Sequence, residues 1–415
     1  MPRFVVAHAA HADWRAALAS CAAQAESQQA RAAGEAAAAS LGWVYFSDHY
    51  AAHADALYAA LCQRWPAVAW VGTVGVGVAA SGVEYFDEPA MVLMLAAMPL
   101  GRFQVFSGAR PLARVEAHTA QVHADSSAPD LPGLLDDMSA RTATGYLFGG
   151  LASSRTRNCH IANGVFEGGL SGVAFNRDVG LVSRVSQGCQ PIGPARRVTA
   201  CERNVVTALD GEPALACLLR DIGVDGNDAR RTLAALRSTL VGISGSAGAS
   251  QAARAASTVP GALSPSRRRS FGEDVRVRHL IGLDPAQQGV AVAELLHPGM
   301  SIAFCQRDVQ AARRDLVRIC AEIRDELVPE IEPAMATTTA APSEPVDPTA
   351  RMAGAVYVSC AGRGGPHFGA PSAELQIVRH ALGDVPLVGF FAGGEIGHQH
   401  LYGYTGVLTV FTRGT

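Results

Sequence analysis

The sequence predicts an α/β protein made of two related halves, which are built from strand-helix-strand units with mixed sheets and glycine loops at the strand ends. Three observations support this fold class. Short apolar runs rich in β-branched and aromatic residues alternate with segments of helical spacing. Glycine clusters follow several of these runs, where the backbone has to turn tightly. The same succession of segments occurs near both ends of the chain.

One such unit begins near the C-terminal end. Residues 355–365 read Ala-Val-Tyr-Val-Ser-Cys-Ala-Gly-Arg-Gly-Gly. The β-branched and aromatic start predicts a strand, and the glycines predict a loop at its end. This loop carries Cys360 and Arg363, so polar groups follow directly after the strand.

The unit continues with a helix and a second strand. Ser372 to Leu382 has helical spacing, and residues 385–397 read Val-Pro-Leu-Val-Gly-Phe-Phe-Ala-Gly-Gly-Glu-Ile-Gly. The apolar run is long enough for one buried strand. Gly393 and Gly394 then allow the backbone to turn or to approach a ligand closely beside Glu395. We therefore expect two polar loops at neighbouring strand ends.

The N-terminal region predicts the same order of elements. His11 to Ser40 is alanine-rich and predicts one or two helices. The next predicted elements are a strand, a helix and two strands, at Trp43 to Phe46, Ala51 to Arg64, Val68 to Val78 and Ala90 to Met98. Because this succession matches residues 355–412, we expect a duplicated unit. A second similarity, between Val173 to Val179 and Ile302 to Val309, would place two modules in opposite order in the two halves.

Charge and cysteine usage narrow the functional class. The net charge of -3 and the pI near 6.5 do not favour nucleic-acid binding, and Arg267 to Arg269 is an isolated basic triplet. Nine cysteines without a C-x-x-C pair suit a reducing cytoplasm. The N-terminus lacks the long apolar core of a signal peptide. Trp65 to Val83 is apolar, but its proline and glycines favour strand-turn-strand over a membrane helix.

Three stretches have the composition of linkers or mobile loops. They are residues 118–133, 244–270 and 329–349, which are rich in Ser, Pro, Ala, Thr or Asp. We expect none of them to pack a core.

Two sets of motifs resemble FIST-domain proteins. Ser359 to Gly364, paired with Gly389 to Gly397, looks like the C-terminal FIST half. Gly149 to Ala152, Val185 to Gly193 and Glu202 to Ala214 resemble the N-terminal half. The resemblance implies a sensory module that binds small ligands such as amino acids, and it supplies no catalytic residue.

With this resemblance the chain divides into three expected parts. They are an N-terminal helical segment at residues 1–40, a FIST N-like domain at 41–235 and a FIST C-like domain at 236–415 with a flexible insert near 329–350. We expect the ligand pocket at the glycine loops, near where the halves meet. Its predicted ligand-binding residues are Arg363, Glu395, Cys360, Gly393, Gly394, Gly149, Gly150 and Gln187.

Glu395 and Arg363 are the charged members of this set. Glu395 could accept a hydrogen bond from a ligand amine, or it could cap backbone amides of its own turn. Arg363 has a planar fork that suits a ligand carboxylate. Together they would clamp the two ends of a zwitterion. The alternative is a direct salt bridge between Arg363 and Glu395.

Other functions stay open for the same residues. Cys360 could be a reactive thiol with its pKa lowered by Arg363 or loop amides, and His367, His398 or His400 could then be the base. Glu395, His398 and His400 could instead hold a metal. An adaptor that binds another protein is the third alternative.

The expected function is a cytoplasmic sensory module that binds a small polar metabolite, with an amino acid among the candidates. No kinase, receiver or DNA-binding motif is recognisable in the sequence, so a separate signalling protein is the expected partner. No cofactor, nucleic acid or membrane insertion is expected.

Overall fold

The computed structural model describes residues 4–31, 38–112, 117–224, 235–244, 275–328 and 348–413. The chain forms two compact units, of which one comprises Met1–Ser186 with Arg313–Thr415 and the other Gln187–Ala312. Residues 245–270 and 329–347 of the predicted linkers, including the arginine triplet at 267–269, lie outside the described residues.

Residues 4–187 form thirteen strands and three α-helices in the described part of the chain. In chain order these are β1 (Phe4–Ala10), α1 (Trp14–Ala30), β2 (Leu41–Ser47), α2 (Ala54–Arg64), β3 (Ala69–Gly75), β4 (Gly77–Ala80), β5 (Val83–Phe86), β6 (Ala90–Ala96), β7 (Phe103–Phe106), β8 (Thr119–Ala124), α3 (Leu131–Ala140), β9 (Leu147–Leu151), β10 (His160–Ala162), β11 (Val165–Phe166), β12 (Leu170–Phe175) and β13 (Leu181–Gln187).

The remaining elements divide between the two units. The second unit contains β14 (Cys189–Pro191), β15 (Arg196–Glu202), β16 (Val205–Leu209), β17 (Glu212–Pro213), α4 (Ala214–Ile222), β18 (Thr239–Ser244), β19 (Arg276–Asp284), β20 (Gly289–Val292) and β21 (Ser301–Arg307). The chain then continues with α5 (Val309–Leu327), β22 (Met352–Cys360), α6 (Ala373–Leu382), β23 (Leu387–Ala392), β24 (Glu395–His398), β25 (His400–Tyr402) and β26 (Thr405–Thr412).

Three mixed sheets with the same internal order make up the first unit. Their orders are β1-β6-β2-β3-β10-β11, β7-β12-β8-β9-β24-β25 and β13-β26-β22-β23-β4-β5. In each sheet two central strands are parallel and are joined through a helix, as β2-α2-β3, β8-α3-β9 and β22-α6-β23. The unit expected twice is therefore present in both halves, and the first half contains an additional copy.

Each copy is followed in the chain by a β-hairpin that pairs with the sheet of another copy. Hairpin β4-β5 follows β3 in the chain but pairs with β23. Hairpin β10-β11 follows β9 and pairs with β3, whereas β24-β25 follows β23 and pairs with β9. The exchange is cyclic, so each sheet is completed by strands from another copy.

A glycine stands at the same place in each copy. A Cβ at this position would lie 1.7–1.9 Å from a carbonyl oxygen of the neighbouring parallel strand, which excludes any side chain. The glycines and their paired residues are Gly72 with Val44, Gly149 with Val122 and Gly389 with Tyr357. The repeated motif thus has a steric cause, and it sets the register used below to compare the copies.

All three sheets contribute to one hydrophobic cluster, which includes Trp43, Phe148 and Phe390. Helices α1 and α2 pack on the first sheet in a separate cluster, and α3 packs on the second. Apolar side chains on both faces explain why the central strands read as continuous apolar runs.

The expectation that residues 118–133 form a linker is wrong. They contain β8, a fully buried central strand, followed by the start of α3. The Ser, Asp and Pro residues that suggested a linker lie after β8, and the polar Gln121 and His123 on β8 bond to Trp43 and Tyr45. The Trp43 Nε1 donates to Gln121 Oε1 at 2.7 Å, and the Tyr45 hydroxyl lies 3.2 Å from His123 Nε2.

The second unit contains a closed antiparallel barrel. Its order is β21-β15-β16-β20-β19-β18, and β18 pairs back to β21. Phe304 and Val241 belong to its core. The proposed similarity between residues 173–179 and 302–309 is not a repeat, because β21 is a barrel strand whereas β12 takes the place of β6 and β26.

Most of the other predicted elements are confirmed. Residues 14–30 form one helix, and the strands and helix expected between residues 43 and 98 are present. The expectation that residues 1–40 form a helical segment is wrong in part, because residues 4–10 form an edge strand of the first sheet. Trp65 to Val83 contains β3, β4 and the start of β5, as the glycines suggested. In the described part of the chain, no helix has the length and apolar composition to cross a membrane.

Candidate functional site

The candidate site lies at the C-terminal end of β22. This strand ends at Cys360, and a 3-10 turn that contains Arg363 follows at once. Glu395 begins β24, which follows β23 in the chain but belongs to the sheet of β8 and β9. In that sheet Glu395 pairs with Gly150 on β9. The predicted site residues from both halves are thereby brought together at one strand end, with the exception of Gln187.

Glu395 is completely buried, and its two carboxyl oxygens differ in their surroundings. Oε2 accepts hydrogen bonds from the Thr405 backbone N–H at 3.1 Å and from the Thr405 hydroxyl at 2.7 Å. Oε1 accepts none from an N–H or O–H group of the described residues, and the weak S–H donor of Cys360 lies beside the carboxyl group. Burial raises the pKa of Glu395 to about 8, although Thr405 and Arg363 act in the opposite direction.

Arg363 is also buried, and most of its donors are in use. Nη2 forms an ion pair with Glu374 Oε1 at 2.6 Å, while Nη1 donates to the Ser186 hydroxyl at 2.9 Å and to its carbonyl at 3.3 Å. The guanidinium lies 5.2 Å from the centre of the Phe368 ring. Burial lowers its pKa, but Glu374 outweighs this effect and raises the pKa above the usual range. In the described structure Nε has no partner.

The ion-pair partner of Arg363 is therefore Glu374, and not Glu395 as one of the alternatives proposed. Glu374 stands in the first turn of α6. Its carboxylate accepts hydrogen bonds from Tyr357 at 2.7 Å and from Ser359 at 3.0 Å to each oxygen. Sequence reasoning missed these residues. The only available signal was an acidic residue in the first turn of the helix that follows the glycine loop.

A second carboxyl group from another copy lies beside this ion pair. Glu84 on β5 accepts a hydrogen bond from the Leu375 backbone N–H at 3.0 Å, at the start of α6. Burial, together with the charge of Glu374, raises the pKa of Glu84 to about 7. The Arg363 guanidinium therefore interacts electrostatically with three carboxyl groups, those of Glu84, Glu374 and Glu395.

Cys360 is half-buried beside Glu395. Burial and the neighbouring Glu395 raise the pKa of the Cys360 thiol to about 12. The expectation that Arg363 and loop amides would lower this pKa is wrong, because they offset only part of the effect of burial. A thiol of this pKa is almost entirely protonated at neutral pH, which weakens the thiol-enzyme alternative.

Glycines allow the strands around Glu395 to approach each other closely. A Cβ on Gly150 would lie 2.7 Å from Val358 Cγ1 and 2.9 Å from both Ala392 Cβ and the Gly394 carbonyl oxygen. The same carbonyl accepts a hydrogen bond from the Leu151 N–H at 2.8 Å. Gly149 is the neighbouring glycine of β9 described above.

Two exposed glycines lie close in sequence to the buried charged residues. Gly362 and Gly393 are exposed. Arg363, the residue after Gly362, is buried, and so is Glu395, which lies two residues after Gly393. A Cβ on Gly393 would have its nearest neighbour at 3.4 Å, so this glycine is not required by packing. An exposed glycine with room for a side chain leaves backbone open to a ligand.

Gln187 is the predicted site residue that belongs to the second unit, where its side-chain amide donates to the Val275 carbonyl at 3.0 Å. The proposed metal set is not assembled. Glu395 and His398 lie three residues apart on β24 and hence on opposite faces of the strand. Within the described ranges, no three His, Cys, Asp or Glu side chains are grouped so that they could hold a metal ion.

Comparison with known proteins gives two family matches. The FIST N domain matches residues 40–212, and the FIST C domain matches residues 214–398. The chain is also 29% identical over 382 residues to an uncharacterized protein of Mycobacterium tuberculosis H37Rv. The aligned region covers 86% of this chain and 87% of that protein. An uncharacterized protein of Mycobacterium bovis is 28% identical over 383 residues, with 86% of each chain covered. All the predicted site residues lie within the two matched ranges.

Proposed function

Since the chain belongs to the FIST family, a signal-transduction sensory family, we propose that it is a sensor whose small polar ligand binds at Glu395. The observation that carries this proposal is the Glu395 oxygen Oε1, which has no N–H or O–H donor among the described residues and only the weak S–H donor of Cys360 beside its carboxyl group. A fully buried carboxyl oxygen without a hydrogen-bond donor is costly, and such groups are rare in folded proteins. A ligand N–H group at this place would remove that cost.

The surroundings of Glu395 favour a ligand with an ammonium group. Thr405 holds Oε2, so the carboxyl group is fixed in orientation and Oε1 is left for a donor. At pH 7 the raised pKa keeps much of the carboxyl protonated. An ammonium ion would favour the ionised form, and its binding would release a proton. Amino acids, expected from the family resemblance, carry such a group.

Access to Glu395 requires movement of the backbone that covers it. We propose that the two glycine loops at the strand end, which contain the exposed Gly362 and Gly393, make this movement. Glycine permits the large changes in φ and ψ that such a movement needs. We propose that the ordered loops of the bound form are recognised by a separate signalling protein. The free thiols of the cysteines agree with a cytoplasmic location, which is part of the same proposal.

The proposal is tested by thermal-shift measurements with amino acids and simple amines on the wild type and on Glu395→Gln. The variant keeps the shape of the side chain but loses its charge. We expect binding of a stabilising ligand to weaken about tenfold or more, the scale of a hydrogen bond to a charged group. Glu88→Gln is the matched control, because Glu88 is exposed. Equal ligand responses in all three proteins would contradict a site at Glu395.

A further inference from the structure

We propose that the ligand at Glu395 is an amine whose second polar group is uncharged, as in an amino alcohol, and that free amino acids are poor ligands. This inference rests on the proposed function, because it specifies the chemistry of the ligand at the same site. It follows from two observations: which N–H groups of Arg363 have no partner among the described residues, and which charged groups lie around Arg363.

Arg363 no longer offers a fork to a carboxylate. A carboxylate binds a guanidinium best through two parallel N–H groups. Nη1 and Nη2 are engaged by Ser186 and Glu374, with the ion pair at 2.6 Å. The remaining donor without a partner in the described residues is Nε. One buried N–H suits a single oxygen acceptor, such as a hydroxyl group or an amide carbonyl.

A ligand carboxylate would have to displace Glu374 from Arg363. Glu374 cannot leave easily, because the Tyr357 and Ser359 hydroxyl groups hold its two oxygens in the buried interior. If Glu374 stayed charged without Arg363, the structure would contain an unpaired buried carboxylate, which is strongly unfavourable. The protein's own carboxylate therefore competes with a ligand carboxylate and has the better position.

The local charge also opposes an anionic group. Glu84, Glu374 and Glu395 act on one another or on Arg363 through their charges. A ligand carboxylate would add a fourth acidic group to this region. An ammonium group would instead complement the acidic surplus, and a hydroxyl group would leave the charge unchanged.

The inference is tested with ligands that differ in one group. Ethanolamine, glycine and glycolate form one set, and leucinol, leucine and 2-hydroxy-4-methylpentanoate form a larger set. Within a set, the first compound has an ammonium and a hydroxyl group, the second an ammonium and a carboxylate, and the third a hydroxyl and a carboxylate. Titration calorimetry and thermal shifts at pH 7.5 measure their binding to the full chain.

We expect at least one amino alcohol to bind about tenfold or more tightly than its matching amino acid, and the hydroxy acids to be the weakest. Binding of the amino alcohol should weaken about tenfold or more in Glu395→Gln. In the wild type, binding should release a proton, seen as a dependence of the calorimetric heat on the buffer. An amino acid that binds more tightly than its alcohol through Glu395 would overturn this inference and leave the proposed function intact. If no compound binds in a Glu395-dependent way, both are overturned.

Glu374→Gln provides a second test, because it removes the competing carboxylate while an amide remains for Tyr357 and Ser359. The guanidinium then has no carboxylate partner of its own, and a ligand carboxylate can pair with it instead. We expect the preference for the amino alcohol over the amino acid to fall about tenfold or to reverse. An unchanged ratio in a variant that still binds the alcohol would show that Glu374 does not exclude amino acids. If this variant does not fold, the wild-type ligand sets still decide the question.

Discussion

Two equivalent strand ends of the first unit have received different polar side chains. Asp125 follows Val122 by three residues, as Cys360 follows Tyr357. Cys360 is the last residue of β22, and Asp125 is the first residue after β8, so both lie at the end of the first parallel strand of a copy. His160 and Glu395 likewise occupy the same place on the exchanged hairpins. His160 pairs with the residue after Gly72, and Glu395 with the residue after Gly149.

At the Asp125 end, each polar side-chain atom of Asp125 and His160 has a partner. Asp125 accepts hydrogen bonds from the Ser127 and Gly168 backbone N–H groups at 2.9 and 3.0 Å. The two ring nitrogens of His160 lie 2.6 Å from the Ser171 hydroxyl and 3.0 Å from the Gly168 carbonyl. Such a network stabilises a turn, and a group without a partner among the described residues at this end is a ring nitrogen, Nδ1 of His123, and not a carboxyl oxygen.

At the Glu395 end, a carboxyl oxygen and a guanidinium nitrogen are buried without partners in the described structure. The difference teaches that position in the repeat does not make a site. One fold position serves stability in one copy, and we propose that it serves binding in another, where stability has been given up for function.

The largest expected effect concerns the buried ion pair between Arg363 and Glu374 at the Glu395 strand end. Arg363→Met removes the cation and leaves Glu374 charged in the interior, so the free energy of unfolding should fall by about 3–5 kcal/mol. Urea unfolding followed by tryptophan fluorescence measures this in the first unit, where all four tryptophans lie.

The double variant Arg363→Met with Glu374→Leu is the control, since it removes both charges. It should recover much of the loss. A single Arg363→Met variant as stable as the wild type would show that the ion pair contributes nothing.

The second prediction concerns the pH dependence of the Glu395 end. The pKa of Glu395 rises from its ordinary value of 4.5 to about 8 on folding, so the folded state holds this proton longer than the unfolded state. The resulting stability is complete below pH 4.5 and is lost as the pH rises towards 8. At about 1.4 kcal/mol for each pH unit, the loss between pH 5 and pH 7 is about 2–3 kcal/mol.

Glu395→Gln cannot ionise, so its stability relative to the wild type should increase over this pH range. Urea unfolding of both proteins at pH 5, 6 and 7 measures the difference. Glu88→Gln again serves as control and should follow the wild type. A constant difference between Glu395→Gln and the wild type would mean that Glu395 is ionised in the folded protein throughout.

The third prediction concerns the Asp125 end, where the sign is opposite. Burial lowers the pKa of His160, so the unfolded state takes up a proton first as the pH falls below 6.5. Stability from this residue is present above pH 6.5 and is lost on acidification, by up to about 1 kcal/mol between pH 6.5 and 5.5. His160→Gln should lose less stability than the wild type over this interval, as measured by urea unfolding. Its ligand response should be unchanged. A ligand response that disappears with His160 would place binding at the wrong strand end.

The sequence could predict the elements around Cys360, Arg363 and Glu395 because their signals are local. Apolar runs and glycines fall within a few residues of each other there. It could not predict β8, since Gln121 and His123 look exposed until their partners on β2 are known. Hairpin exchange and the ion pair with Glu374 escaped for the same reason, because each depends on which chain segments become neighbours in space.

The smallest expected effect is a difference in the reactivity of thiols. Cys360 is half-buried beside Glu395, whereas Cys305 and Cys320 have no exposed surface. Access should therefore make Cys360 react with iodoacetamide faster than the other two, even though its raised pKa of about 12 makes the reaction slow in absolute terms. Site-resolved mass spectrometry of a labelling time course measures the three rates. Equal protection of all three would show that the glycine loops do not open.

The same reaction connects labelling to the site. If the amino alcohol that binds through Glu395 lies against the neighbouring Cys360, its saturation should slow labelling of Cys360 at least severalfold, because a bound ligand holds the loops closed. Cys62, which is also half-buried but lies on α2, is the internal control, and its rate should not change. In Glu395→Gln the protection of Cys360 should be absent at the same ligand concentration. Protection that persists without the carboxylate would mean that the ligand covers the thiol from a different site, and the contrast between the two strand ends would then need another explanation.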